Sequence, residues 1–204
     1  MARPRSEERR NAILSAATRV IASEGLGAST AAIAKEAGVS NGSLFVYFDT
    51  KAMLVNELYA RLKNEMGAAA IAGLPDGGEP RAQLLHMWTG WLRWATDNPE
   101  KRRALAQLEP ADDITAETRQ TVGAAFCAIA ELLERSRANG PMQDTSLQFV
   151  LILTTAIADA TADAMIRDPA EADTHSRVAF EAVWRVLAGT SPAPSSESAR
   201  TGRD

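Results

Sequence analysis

Residues 29–51 read STAAIAKEAGVSNGSLFVYFDTK, and this stretch decides the fold. Two short helical segments meet at Ala37-Gly38-Val39-Ser40. Glycine in that position lets the backbone take the tight turn that sets two helices at a steep angle. Ser29 and Ser40 stand where the two helices begin, as N-caps whose hydroxyls accept from first-turn N–H groups. Ile33, Ala34, Ala37, Val39 and Leu44 have the spacing of a small shared core. Such a core holds the second helix as a rigid rod on the surface. A rod of that kind fits the major groove of B-DNA, with its N-terminal residues facing base edges.

Outward from this stretch, almost every segment repeats its apolar residues with helical period, and none alternates like a half-buried strand. A first helix is expected over about Glu7 to Ser23, with Ile13, Leu14, Ala17, Val20 and Ile21 on one stripe and Gly25 and Gly27 ending it. Asp49-Thr50 starts a fourth helix, to about Ala70. The turn-rich stretch from Gly73 to Pro80 reads as a loop. Further helices are expected over about Arg81–Thr96, Pro99–Leu108, Thr115–Ala138, Thr145–Arg167 and Ala170–Ala188. The seventh carries Val122, Ala125, Phe126, Ile129, Leu132 and Leu133 on one face, and Asn139-Gly140-Pro141 ends it. The fold class is all-α, a three-helix N-terminal helix-turn-helix followed by a helical bundle, about nine helices in total. Residues 190–204, rich in Ser, Pro and Ala, have no apolar period and are expected to be a disordered tail.

Composition narrows the function classes. The 204 residues carry a net charge of −4, which alone disfavours a nucleic-acid partner. The distribution is more telling. Met1 to Met66 holds nine Lys/Arg and seven Asp/Glu, a net +2, and the remainder holds 13 and 19, a net −6. Cys127 is the only cysteine, so no internal disulfide is possible, and a lone cysteine reads as a small buried hydrophobe. The basic N-terminus has no apolar run behind it, and the longest uncharged run, Thr145 to Ala158, is too short to span a bilayer. A cytoplasmic protein without a membrane partner is expected. With two histidines, His86 and His175, and no metal-ligand spacing, nucleophile elbow or phosphate-binding glycine loop, the sequence points away from an enzyme. No catalytic residue, metal or cofactor is expected.

The chain resembles the TetR family of transcriptional regulators. The resemblance runs through Ala12-Ile13-Leu14-Ser15-Ala16-Ala17, Ile21-Ala22-Ser23-Glu24-Gly25, Ile33 to Ser40, Gly42-Ser43-Leu44-Phe45, Tyr47-Phe48, Lys51 and Leu54, roughly the first quarter of the chain. It implies an N-terminal helix-turn-helix domain over 1–55 that binds double-stranded DNA, helix four (about 50–70) as the connection, and a ligand-binding and dimerisation domain over 56–189. Ser29 matches a capping residue that also touches phosphate, and Thr30 adds a second hydroxyl. Ser40, Asn41, Gly42 and Ser43 open the recognition helix; Asn41 suits adenine best, and Gly42 permits close approach. Tyr47 and Lys51 match phosphate contacts, Lys51 being helped by the helix dipole. Leu44 and Phe48 read as core. Two departures weaken the clamp: position 31 is Ala, where relatives often carry a polar or basic residue, and position 45 is Phe, where Tyr is usual. Phe45 stays among the expected DNA-facing residues. Arg3 and Arg5 are read either as a basic arm reaching the minor groove or as solvated charge.

For the body, the resemblance implies a homodimer built on the last two helices and a small-molecule effector bound among helices five to eight. Phe149, Leu153, Phe180, Val183, Trp184 and Leu187 are the expected interface, since a helix with two apolar faces needs two partners. Met87, Trp88, Trp91, Phe126, Cys127 and Asp159 are the candidate effector pocket. Trp88, Trp91 and Trp94 recur every three residues, so they span an arc and cannot all face one point; one or two could line a pocket, and ordinary core packing is the simpler reading of them. Asp159 and Asp163, four apart, either receive a cationic ligand, face solvent or meet a partner Arg. The function expected is a ligand-released repressor on a near-palindromic operator. A helical interaction module that has lost DNA binding is the competing reading, left open by Ala31 and Phe45.

Overall fold

The computed structural model describes residues 3–75, 77–121 and 124–189. Among them are α1 (Arg3–Glu24), α2 (Thr30–Glu36), α3 (Asn41–Tyr47), α4 (Lys51–Ile71), α5 (Pro80–Asp97), α6 (Pro99–Leu108), α7 (Ala116–Gln120), α8 (Ala124–Arg137), α9 (Leu147–Arg167) and α10 (Ala172–Ala188). A 3₁₀ turn, Pro169–Glu171, precedes α10, and no strand occurs among the described residues. The all-α expectation holds, with two differences. α1 starts at Arg3, so the residues read as a loose basic arm continue the helix; Pro4 is compatible with a first turn, whose N–H groups lack partners anyway. The seventh helix is two, α7 and α8. Thr115 caps α7 by accepting from Thr118 N at 3.1 Å, and the helix-weakening Gly123 falls between the pair in sequence. Val122 and the tail over 190–204 lie outside the described residues.

One apolar core runs through the molecule. Ile13, Ile21, Ile33, Leu44 and Phe48 form its N-terminal end, and Leu92, Leu132, Val150, Phe180 and Leu187 its far end. Between them α4 buries Leu54, Leu58 and Leu62, one stripe at i, i+4 and i+8. α4 crosses α5 at backbone contact: a Cβ on Gly90 would lie 2.7 Å from the Ala69 carbonyl oxygen and 3.0 Å from that of Ala70. α6 fills the angle between α1 and α4 through Ala104, Leu105 and Leu108. Arg137 Nη1 donates to the carbonyls of Met142 (2.6 Å), Gln143 (2.9 Å) and Thr145 (2.6 Å), which fixes the turn leading into α9.

By length and composition α9 is apolar enough to cross a membrane. Here it lies along α10 and α5, and Asp159 and Asp163 on it both pair with Arg102 of α6. Phe149 (51% exposed) and Ile152 (60%) stay bare on its outer side.

A polar chain joins α1, α4 and α6. Arg61 Nη1 donates to Asn11 Oδ1 at 2.6 Å, Arg61 Nε to Glu65 at 3.2 Å, and Lys101 Nζ to Glu65 at 2.6 Å. Burial raises the affinity of the Glu65 carboxyl for its proton, but the hydrogen bonds from Lys101 and Arg61 outweigh burial and hold it below the ordinary 4.5. A depressed folded-state value means stability that is present above 4.5 and lost as pH falls through the lower folded value.

Two outcomes are expected in urea unfolding. Gly90→Ala destabilises by about 2 kcal/mol, because the new methyl group forces the α4 and α5 backbones apart. Glu65→Gln is less stable than the parent at pH 7 by up to about 1 kcal/mol, and the gap closes as pH falls below 4.5.

Candidate functional site

A helix of seven residues does not hold itself in water, so α3 exists by virtue of its surroundings. Gly38, at φ +68°, makes the turn, and Val39 N donates to Ala34 O at 2.9 Å to close α2. Ser40 Oγ accepts from Ser43 N at 3.0 Å, the expected cap. Leu44 and Phe48 are fully buried, Leu44 as the shared-core spacing required and Phe48 as the resemblance implied. Ala37 and Val39 are packed at the edge of that core.

Arg10 completes the support, and sequence reading missed it. Its guanidinium pairs with the Glu57 carboxylate, stacks 4.5 Å over the Phe48 ring and donates from Nη1 to Tyr47 O at 3.0 Å. One side chain of α1 thus ties α4 to the last carbonyl of α3. Its partners are 37 and 47 residues away in sequence, where no local pattern reaches.

Asn41, Gly42, Ser43, Phe45 and Val46 form the outer surface of α3. Phe45 is 39% exposed and Val46 79%. Val46 was not among the expected contacts; an apolar residue in an apolar-rich run carries no mark of exposure until the helix is oriented. Ser29 Oγ accepts from Ala32 N at 3.1 Å and caps α2, and half-buried Thr30 follows it. Tyr47 is half-buried beside α3's end. Lys51, expected at a phosphate, is partly engaged inward: its ammonium donates to Leu26 O at 2.5 Å. An ammonium has three donors, so two remain.

The body holds two adjoining cavities. The inner one, about 100 Å³, lies among α4, α5, α8 and α9 and is walled by Met66, Met87, Trp88, Trp91, Phe126 and Ile129. Trp88 is also core: its indole N–H donates to Ser176 O and Oγ, both at 3.2 Å, and its ring lies 6.3 Å from that of Phe180. Trp94 turns away from this cavity, as the three-residue step requires. The outer cavity, about 620 Å³, shares Met66, Trp91 and Phe126 with the first and opens between Tyr59, Lys63, Arg102, Glu109, Arg119 and Asp159. None of these but Asp159 was expected at a pocket. Burial, and then the negative charge of Glu109, push the Tyr59 hydroxyl up to about 12, so it stays a proton donor.

Several expected positions are corrected. Cys127 is exposed and lines neither cavity, because one residue's step from Phe126 turns it about 100° around the helix. Asp159 and Asp163 both pair with Arg102 of α6, at 3.1 Å from Asp159, while staying partly exposed, and Asp159 lines the outer cavity as expected of a pocket residue. Phe180, Val183 and Leu187 are not a free interface face; they are buried in the chain's own core against α9, α5 and α8. Trp184 is half-buried, with the Arg81 guanidinium 6.0 Å above its ring. Leu153 is half-buried, while Phe149, Ile152, Ile166 and Val178 are the exposed large apolar residues of the last two helices.

Residues 13–58 match the model of the bacterial regulatory proteins, tetR family. About nine-tenths of the chain superposes on solved regulators. A tetR family transcription regulator from Shewanella sp. PV-4 is 25% identical with a TM-score of 0.77, over 88% of this chain and 97% of that one. A TetR family transcription regulator from Marinobacter aquaeolei VT8 is 20% identical with a TM-score of 0.78, over 91% and 98%. The TetR-like regulator LfrR from Mycobacterium smegmatis, solved in complex with proflavine, is 20% identical with a TM-score of 0.62, over 91% and 99%. Residues 13–58 thus carry the N-terminal module of the tetR family of bacterial regulatory proteins, and about nine-tenths of the chain shares its fold with solved regulators of that family.

Proposed function

We propose that the protein is a homodimeric transcriptional repressor that holds a near-palindromic operator through α3 and releases it when a small molecule enters the inner cavity. The observation that carries the DNA reading is the outer face of α3, a capped and braced helix that leaves Asn41, Phe45 and Val46 exposed on the surface. In this reading residues 1–55 are the DNA-binding head and residues 56–189 the ligand and dimer body.

α3 carries no charged residue. Guanine is most often read by Arg or Lys, and neither is present. Asn41 suits adenine, and the only apolar group in the major groove is the thymine methyl, the natural partner of Val46 and Phe45. The half-site is therefore rich in A·T pairs at its centre. Ser29, Thr30, Tyr47 and Lys51 take backbone phosphates and set the register.

The outer side of α9, with Phe149 and Ile152, is the seam between subunits. A two-fold pairing there places two heads to read successive major grooves, about 34–36 Å apart. α4 runs from Lys51 at the head to Met66 at the cavity, so a shift of the cavity wall reaches α3 through one rigid element. A ligand acts only as far as it prefers one head spacing over the other. LfrR, of the same fold, holds proflavine.

Selection from a random duplex pool tests the DNA reading. A palindrome is expected whose affinity falls steeply with salt, and Asn41→Ala/Tyr47→Ala binds it poorly. Replacing central thymines by uracil and making Val46→Ala each cost severalfold, with no further loss when combined. An unenriched pool, with weak binding even at low salt, leaves only a helical interaction module. For the dimer, Phe149→Glu/Ile152→Glu is expected to sediment as a folded monomer and to lose at least about tenfold in operator affinity; a variant that stays dimeric contradicts the α9 seam.

A further inference from the structure

The two adjoining cavities differ in character, and the difference defines a ligand. The inner one is walled by apolar side chains and carries no ionisable group; its only polar side chains are Thr154 and Thr155. The Trp88 indole N–H on its wall is already taken by Ser176. The outer one contains three cations, Lys63, Arg102 and Arg119, against two acids, Glu109 and Asp159. The Lys63 and Arg102 side chains are 16% and 14% exposed and Arg119 is 37% exposed, whereas Glu109 and Asp159 are 49% and 43% exposed. Two of the three cations thus sit deep, with Arg119 and both acids nearer the rim. Arg102 Nε is buried with no hydrogen-bond partner among the described residues.

Glu109 occupies the place of a ligand carboxylate. One of its oxygens accepts from Tyr59 OH at 3.3 Å and lies 3.9 Å from Arg119; the other pairs with Lys63 at 2.9 Å. Glu109 reaches this position from the C-cap of α6, where the helix dipole disfavours a carboxylate. The two cations and the Tyr59 hydroxyl hold it there, and water is open to it on its other side. A cationic ligand would meet Lys63 and Arg119, and Asp159 offers it little, being bound to Arg102.

Resting on the ligand-binding reading above, we propose that the site takes an amphipathic carboxylate, its apolar body in the chamber between Trp88, Trp91 and Phe126, its carboxylate on Lys63, Arg119 and Tyr59 in place of Glu109. Displaced Glu109 frees the C-terminal end of α6 from α4. Because α6 leans on α1, the headgroup itself then loosens the link between body and head.

Three probes of one shape separate the headgroups: 4-phenylbutyrate, 4-phenylbutan-1-ol and 4-phenylbutylamine, titrated into the full-length protein by tryptophan fluorescence and calorimetry. The carboxylate is expected to bind at least about tenfold more tightly than the alcohol, and the amine weakest. Lys63→Met/Arg119→Met brings the carboxylate down to the alcohol, whose own affinity is unchanged and reports an intact fold. Glu109→Gln tightens the carboxylate by removing its internal competitor. An alcohol or amine that binds as well as the carboxylate overturns the headgroup assignment and leaves the ligand-binding reading standing. So does carboxylate binding indifferent to Lys63 and Arg119, or weakened by Glu109→Gln. Failure of all three to bind overturns both.

Discussion

The recognition helix has seven residues, and no helix that short persists unaided. Its place is set by Leu44 and Phe48 buried beneath it, by the Ser40 cap, and by the Arg10 guanidinium that joins Glu57, the Phe48 ring and the Tyr47 carbonyl. Every functional statement about the head depends on that support. Without it Asn41 and Val46 have no fixed direction, and the base reading proposed for them has no geometric basis.

The same economy governs the body. α4 begins beside α3, buries one stripe against the head's core and ends against α5 at a backbone contact that only glycine permits. Helices crossing that closely transmit displacement with little slack, because packed cores yield in discrete rearrangements rather than continuous strain. The cavities lie where α4 and α5 diverge from α8 and α9. In the proposed mechanism, binding energy released there acts on the elements that hold α3. Polar and charged residues meet at the joints: Asn11, Arg61, Glu65 and Lys101 between α1, α4 and α6, and Tyr59, Lys63 and Glu109 between α4 and α6.

The sequence made some of this legible and hid the rest for physical reasons. Caps and turns are local, so Ser29, Ser40, Gly38 and the breaks at Pro99 and Gly140 could be read directly, and helical period located most of the elements. The stripe over Phe180, Val183 and Leu187 was equally visible, but period alone does not say whether an apolar face meets its own chain or a partner; α9, α5 and α8 cover it. Cys127 shows the same limit at one residue. The cationic lining of the outer cavity was invisible, since Lys63, Arg102 and Arg119 come from three helices and look like solvated charges in sequence. Arg102 also explains the acids of α9, which in sequence stood open to three readings.

The measurement that bears most directly on the central claim is the distance between the two recognition helices in the assembled protein. Spin labels at Asp49→Cys, in a Cys127→Ser background, report it with and without bound operator. The expected result is one narrow distribution on the operator, corresponding to helices about 34–36 Å apart, one turn of B-DNA. Labels that show no partner at all, or a separation on DNA that matches no whole number of turns, would contradict a paired reading of the major groove.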